Sequence, residues 1–384
     1  MSMNHARGLD SPAASPRVGP MDVPHLEFTL SLLRELPARG NFAWSPYSVA
    51  SALGVASAGA RGRTYDELAS AIAPNGDLGD VAAMLARSAR IDLPHGEGGP
   101  EMAVANDLWM REGLVFGEDF QKTVLGWPGG ALHTADFAGD PDGARQEINR
   151  DVERTTRGLI KNLLAEGTIH PEVAAVIVNA LFMKVAWLHV FERTITKPAP
   201  FHAPSGTRQV PTMRQSEHFG YTEGHGWRMA TLPTESDAVV DVLLPDGDLA
   251  AAERAVTADV LGSLYADGGQ AKLDLALPRF RIEGSAVLNG PLQALGVNEA
   301  FTREADFSAI TEETRIWIDQ VVHKAVLTVD ERGFEGAAAT AVVMRTVSFD
   351  VSTPVPFLVD RPFLVIVRHR ETGAIYFVAR VIEP

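Results

Sequence analysis

The sequence predicts an α+β chain, with helices gathered in the first half and strands in the second. Three observations carry that prediction. Apolar residues recur at helical spacing in segments before residue 165. Beyond Phe201 the chain turns into short apolar runs, rich in branched residues and separated by turn residues. No internal repeat and no Pro/Gly/Ser-rich linker divides the 384 residues, so distant segments are expected to complete shared sheets.

In chain order, "VPHLEFTLSLLREL" (23–36) puts Val23, Leu26, Leu30 and Leu33 on one helical stripe, with Phe28, Leu32 and Leu36 beside it. Ser45 reads as a helix cap with Pro46 at the first helical position. The small residues Ala50, Ala52, Gly54 and Ala56 would let that helix pack closely. Thr64 reads as a second cap, opening "YDELASAI" with Asp66 and Glu67 in its first turn. "EMAVANDLWM" reads as a strand and "GEDFQKTVL" as a helix. Residues 143–164 hold an amphipathic helix that stops near Gly158. "AAVIVNALFMKVAWL" (174–188) is apolar throughout, which fits a strand buried on both faces. "DAVVDVLLP", "AKLDLALPRFRI", "TRIWIDQVVHKAVLTVDE" and "FLVIVRHRETGAIYFVARVIEP" read as strands, the last folded at a Thr372–Gly373 turn. "GPLQALGV" is a short helix ending at Gly296.

Composition narrows the function. A net charge of −15 argues against nucleic-acid or anionic-membrane partners, which need basic patches. The absence of cysteine removes disulfides, thiolate metal sites and cysteine nucleophiles. No run of 18 apolar residues suggests a membrane helix. "MSMNHARGLDSPAASPRVGP" has no apolar signal core, so residues 1–20 read as a flexible arm. The expected location is cytoplasmic, with export by another route left open.

Motifs of catalysis are missing as well. There is no GxGxxG after a strand, no P-loop, no HExxH and no GxSxG elbow. His95 and His225 sit among glycines and read as loop residues. Asp66 with Glu67, and Glu312 with Glu313, are sequence neighbours that do not face one another. No catalytic residue, cofactor or metal is expected. Three features remain: Ser45 and Ser48 at the start of an apolar helix, Asn179 in an apolar strand, and His323 in another. Polar groups in such places need partners, and these could satisfy one another as a latch between strands and helix.

These residues stand in blocks that resemble the serpin family of protease inhibitors, in family order from about residue 23 to 384. "NFAWSPYSVASALGVASAGARGRTYDEL" is similar to the block beginning Asn-x-x-x-Ser-Pro-x-Ser. "INRDVERTTRGLIKNLL" and "VNALFMKVAWLHVF" resemble a helix and the central-sheet strand that follows it. "VPTM", "LLPDGDLAAAE", "LPRFRI", "ADFSAI", "VHKAVLTVDERG" and "DRPFLVIVRHRETGAIYFVARVIEP" continue the order. The resemblance implies one cysteine-free, bacterial-type serpin domain over 21–384, with three β-sheets, eight to nine helices and an exposed reactive-centre loop at about 333–357. It assigns Ser45, Ser48, Asn179 and His323 to a shutter beneath the central sheet. It assigns Trp187, Arg279 and Glu331 to the breach where that sheet opens, with an Arg279–Glu331 ion pair expected. Glu331, Gly333, Phe334, Glu335, Gly336, Ala337, Ala338, Ala339 and Thr340 form the hinge.

The implied function is inhibition by a suicide substrate. A serine protease cuts the loop, and the upstream segment inserts into the central sheet while still ester-linked to the enzyme. The protease is the partner, and the inhibitor is expected to be a monomer. The 14 residues 334–347, at about 3.3 Å each, would make a strand of about 46 Å. That is close to the diameter of about 54 Å expected for the chain. Phe334, Gly336, Ala338, Thr340, Val342 and Met344 alternate on one uncharged face, while Glu335 and Arg345 fall on the other. No proline interrupts residues 333–353. Hinge-to-cut spacing in the family puts the reactive bond at Val347–Ser348, suiting an elastase-like or subtilisin-like protease. Arg345–Thr346 would instead suit a trypsin-like one. Phe334 departs from the small residue usual there, and Val185 and Ala379 from glycine. A large ring at the hinge keeps a non-inhibitory binding or chaperone role open.

Overall fold

The computed structural model describes residues 22–91, 101–312, 314–334 and 353–384. The first half is led by helices. α1 (Val23–Glu35) is capped by Asp22, whose carboxylate accepts from the His25 N–H. β1 (Phe42–Trp44) leads into α2 (Pro46–Gly59), α3 (Gly62–Ile72) and α4 (Leu78–Arg87). α2 is buried on nearly every side, consistent with its small residues. β2 (Glu101–Arg111), α5 (Glu118–Val124), β3 (Gly130–Ala135), α6 (Pro141–Thr155) and β4 (Ala175–Ala186) follow.

Strands dominate the rest. They are β5 (Lys197–Ala203), β6 (Gly206–Gly224), β7 (Trp227–Pro233) and β8 (Ala238–Pro245). β6 turns into β7 through His225 and Gly226, whose φ values of 52° and 79° make a two-residue hairpin of the primed type. Two helices that the β-rich reading passed over, α7 (Leu249–Ala255) and α8 (Ala258–Ala266), interrupt the strands. Their caps Asp248 and Thr257 were the available signal, in a segment too short for a clear helical period. Then come β9 (Gly269–Pro278), β10 (Phe280–Val287), α9 (Asn289–Ala294), β11 (Ile318–Val329), β12 (Gly333–Phe334), β13 (Val355–Leu358), β14 (Phe363–His369) and β15 (Ile375–Val381).

Hydrogen bonding among the described residues makes two sheets where three were expected. One has nine strands in the order β1-β15-β14-β8-β7-β6-β9-β13, with β5 added on β6. β6 explains the merger. Its 19 residues pair with β5 at one end and β7 at the other, with β9 bridging the middle, so the ladder never breaks. The second sheet has six strands in the order β10-β11-β12-β4-β2-β3.

A second correction concerns Thr64. It does not cap α3 but lies buried within it, after an Arg61 cap position with no side-chain hydrogen bond. Its hydroxyl donates to Glu299 Oε2 at 2.7 Å and accepts from the Asp306 N–H at 2.9 Å. A distant segment thus claims the side chain that local pattern gave to a cap. Glu67 also bonds outward, accepting from the N–H groups of Asn298 and Glu299.

The six-stranded sheet separates two cores. Leu108, Met110, Ile177, Leu181, Val321 and Ala325 face the main core, which includes α2. Ala105, Trp109, Val176, Val178, Ala180 and Val322 face the other way, packing with Ala144, Ile148 and Val152 of α6. Strand alternation produces this two-sided burial, so β4 reads as uninterrupted apolar sequence.

Candidate functional site: the seam of the six-stranded sheet

β11 and β4 run parallel and pair directly, from Ile318 with Ala175 to Ala325 with Leu181. Beyond that they part, and β12 lies between them. Phe334 pairs with Val329 on one side and Val185 on the other, antiparallel to both strands. The seam is therefore closed along most of its length and already split at one end by two residues.

Turn chemistry explains how the chain enters the split. Asp330 N–H donates to the Gly333 carbonyl at 3.0 Å, and Asp330 Oδ1 accepts from the Arg332 N–H at 2.8 Å. Gly333 has φ 149°, and a Cβ there would lie 2.0 Å from the Val185 carbonyl oxygen. Glycine is required on both counts.

Trp187, Arg279 and Glu331, the residues expected at the breach, come together around this turn. Trp187 donates from Nε1 to the Asp330 carbonyl at 2.8 Å and from its backbone N–H to the Arg332 carbonyl at 2.9 Å. Arg279 Nη1 lies 3.5 Å from Glu331 Oε1, the ion pair expected from the sequence. Arg193 adds a second guanidinium, 3.8 Å from Glu331 Oε2. The Glu331 carboxylate is buried and both arginines are largely exposed, so each pair meets solvent only through its guanidinium.

The closed part of the seam carries the polar residues. Pairing places His323 opposite Asn179, and Asn179 opposite Asn106, in one row across β11, β4 and β2. The row meets the N-terminus of α2. The Ser45 N–H donates to His323 Nε2 at 3.1 Å, and His323 Nδ1 is bonded to Asn179 Oδ1. Asn179 Nδ2 donates to Ser48 Oγ at 2.7 Å and also to Asn106 Oδ1. Ser48 Oγ donates to Asn106 Oδ1 at 3.0 Å, and Asn106 Nδ2 to the Pro128 carbonyl at 2.7 Å. Ser45 Oγ accepts from the Ser48 N–H at 3.1 Å as the helix cap.

Since Nε2 accepts a hydrogen bond, the imidazole is neutral with its proton on Nδ1. Burial pushes the His323 pKa down to about 3, in keeping with that tautomer. Ser45, Ser48, Asn106, Asn179 and His323 are all nearly or fully buried. Asn106 is the member that sequence reasoning missed. Its signal was the same as that of Asn179, an amide inside the apolar strand "AVANDLWM".

Of the hinge, Glu331, Gly333 and the backbone of Phe334 are described. Glu335, Gly336, Ala337, Ala338, Ala339 and Thr340 lie outside the described residues. So do both candidate bonds, Val347–Ser348 and Arg345–Thr346, together with His95 and the arm 1–20. The two departures from glycine, Val185 and Ala379, are fully buried packing residues.

A sheet seam of this kind, split at one end by Gly333 and Phe334, agrees with the comparisons to known proteins. The family model described as serpin (serine protease inhibitor) matches residues 25–384. An uncharacterized serpin-like protein of Thermococcus kodakarensis is 34% identical over 363 residues, covering 93% of this chain and 84% of that one. The leukocyte elastase inhibitor of Sus scrofa is 32% identical over 373 residues, covering 93% and 97%. Uncleaved ovalbumin superimposes with a TM-score of 0.84 at 24% identity, covering 95% of this chain and all of that one. The chain belongs to the serpin family, described as serine protease inhibitors, and its relatives include an inhibitor, the leukocyte elastase inhibitor.

Proposed function

We propose that this protein is a suicide-substrate inhibitor of serine proteases, acting as a monomer. The protease serine attacks the carbonyl carbon of Val347. The Val347–Ser348 amide breaks, Ser348 leaves as a free amine, and the upstream chain remains as an acyl ester. That segment then enters the seam between β11 and β4 and draws the protease with it before water can release the ester.

The observation that carries this reading is the register of β12. Gly333 and Phe334 are already antiparallel to both strands, which is the direction the inserting segment must take. Continuing the same register, Ala338 falls opposite Ala325 and Leu181, on the face of the main core. Thr340 falls opposite both His323 and Asn179. The hydroxyl that the segment carries at that position can replace, as donor and acceptor, the His323–Asn179 bond that insertion must break. An apolar residue there would leave two buried polar groups unpaired.

Valine before the cut favours a protease with an elastase-like or subtilisin-like pocket. Incubation with elastase, subtilisin and trypsin tests the reading. A covalent band stable in SDS, with the Val347 carbonyl as the attachment site by mass spectrometry, is the expected result. Attachment at Arg345 with trypsin would move the reactive bond but keep the mechanism. Cleavage within residues 343–350 without any such band, by all three enzymes, would overturn it.

A further inference from the structure

We infer that Asp107, His133 and Asp151 form a binding site for a divalent transition-metal cation of the zinc type, joining α6 to the outer strands of the six-stranded sheet. Asp107 lies on β2, His133 on β3 and Asp151 on α6, so three elements each contribute one group. One donor atom from each side chain lies within 4.8 Å of the other two. His133 Nε2 and Asp107 Oδ1 are 3.5 Å apart. Donors at about 2.0–2.1 Å from a tetrahedral zinc stand about 3.4 Å from one another, so this pair already has the required spacing. Asp151 sits at the rim, with its side chain 13% exposed; its Oδ1 accepts from Arg154 Nη2, which leaves the other oxygen for a cation.

The independent observation is the state of Asp107. It is only 5% exposed, yet its Oδ2 accepts no hydrogen bond from any donor among the described residues. A buried carboxylate oxygen without a donor is costly unless a cation supplies the missing partner. Asp151 brings a second carboxylate to the same place, its charge met on the outer side by Arg154.

His133 is held ready as a ligand. Trp109, its register partner on β2, stacks on the imidazole with ring centroids 4.4 Å apart and planes 18° from parallel. Two carboxylate oxygens and one imidazole nitrogen suit zinc, cobalt or nickel better than calcium or magnesium, which favour all-oxygen shells. The remaining positions would be water. No spacing motif could announce this site, because its ligands lie on three elements. The site does not depend on the inhibitory reading. Its effect would be to tie α6 to β2 and β3, over the smaller core.

The test uses the full chain, stripped with EDTA and dialysed. Titration with Co²⁺ should give visible d–d absorption that saturates at one equivalent and is displaced by Zn²⁺. Zn²⁺ should raise the unfolding midpoint by several degrees. Asp151→Asn and His133→Gln, both at partly exposed positions, should each weaken binding by more than about tenfold while leaving the metal-free midpoint close to wild type. Failure of the wild-type chain to bind saturably would overturn the site and leave a proton shared between the two carboxylates. Binding unchanged in both variants would overturn it equally, by placing the metal elsewhere.

Discussion

His323 on β11 and Asn179 on β4 stand in register across the seam of the six-stranded sheet, and the imidazole donates to the amide oxygen. The bond spans the line along which the proposed strand must enter. Its other connections reach Ser45 and Ser48 at the start of α2 and Asn106 on β2. A seam made solely of backbone ladder and apolar contact could slip or open gradually. A buried polar row fixes one register, because any shift leaves unpaired groups.

The pair should therefore behave as a coupled unit. Asn179→Ala leaves the His323 N–H without an acceptor and should destabilise the intact protein by about 1–3 kcal/mol. His323→Ala should do the same, and the double variant should cost clearly less than the sum of the two. Urea unfolding of the four proteins checks this. Strict additivity would mean the two side chains act separately.

Acid should weaken the intact fold through two neutral histidines. His323 has a folded-state pKa of about 3 and His25 of about 4, both below the ordinary 6.5 because of burial. As pH falls through 6.5 the unfolded chain takes up protons that the folded chain refuses. Stability is thus fully present above about pH 6.5 and is lost progressively toward pH 4, by up to about 1.4 kcal/mol per pH unit for each histidine. Unfolding midpoints between pH 7.5 and 5 should show this slope, and His25→Gln should remove about half of it. A flat profile over that range would contradict a neutral, buried pair.

Gly333 should tolerate no side chain. Alanine there would set its Cβ against the Val185 carbonyl and force a non-glycine residue to φ 149°. The strain, of order 1–3 kcal/mol, should expel Gly333 and Phe334 from the seam. Hydrogen exchange of the amides of Val185 and Phe334 should speed up in Gly333→Ala while that of the closed seam, at His323, stays slow. Unchanged protection at Phe334 would show that β12 does not depend on this glycine.

Much of this site could be read from sequence, for a definite physical reason. Ser45, Ser48, Asn179 and His323 stand out because a polar group within an apolar segment must find a partner. Asn106 was harder, since it sits beside Asp107 and one sequence does not say which neighbour faces which core. The structure sends Asn106 to α2 and Asp107 toward α6. Thr64 misled because a cap and a long-range bond use the same hydroxyl. The split of the seam by Gly333 and Phe334 was out of reach, since it depends on how the turn at 330–333 sets the register of a two-residue strand. The merger of sheets through β6 likewise depends on pairing between distant strands.

The central claim is that the segment upstream of the cut becomes a strand between β11 and β4. Thermal unfolding of the intact protein and of protein nicked between residues 340 and 352 tests it directly. A large rise in midpoint on cleavage is the predicted result, since the sheet gains a full strand. The rise should vanish in Ala338→Arg, which would place an unpaired charge opposite Ala325 and Leu181. An unchanged midpoint after cleavage, or a rise that survives Ala338→Arg, would contradict insertion at this seam.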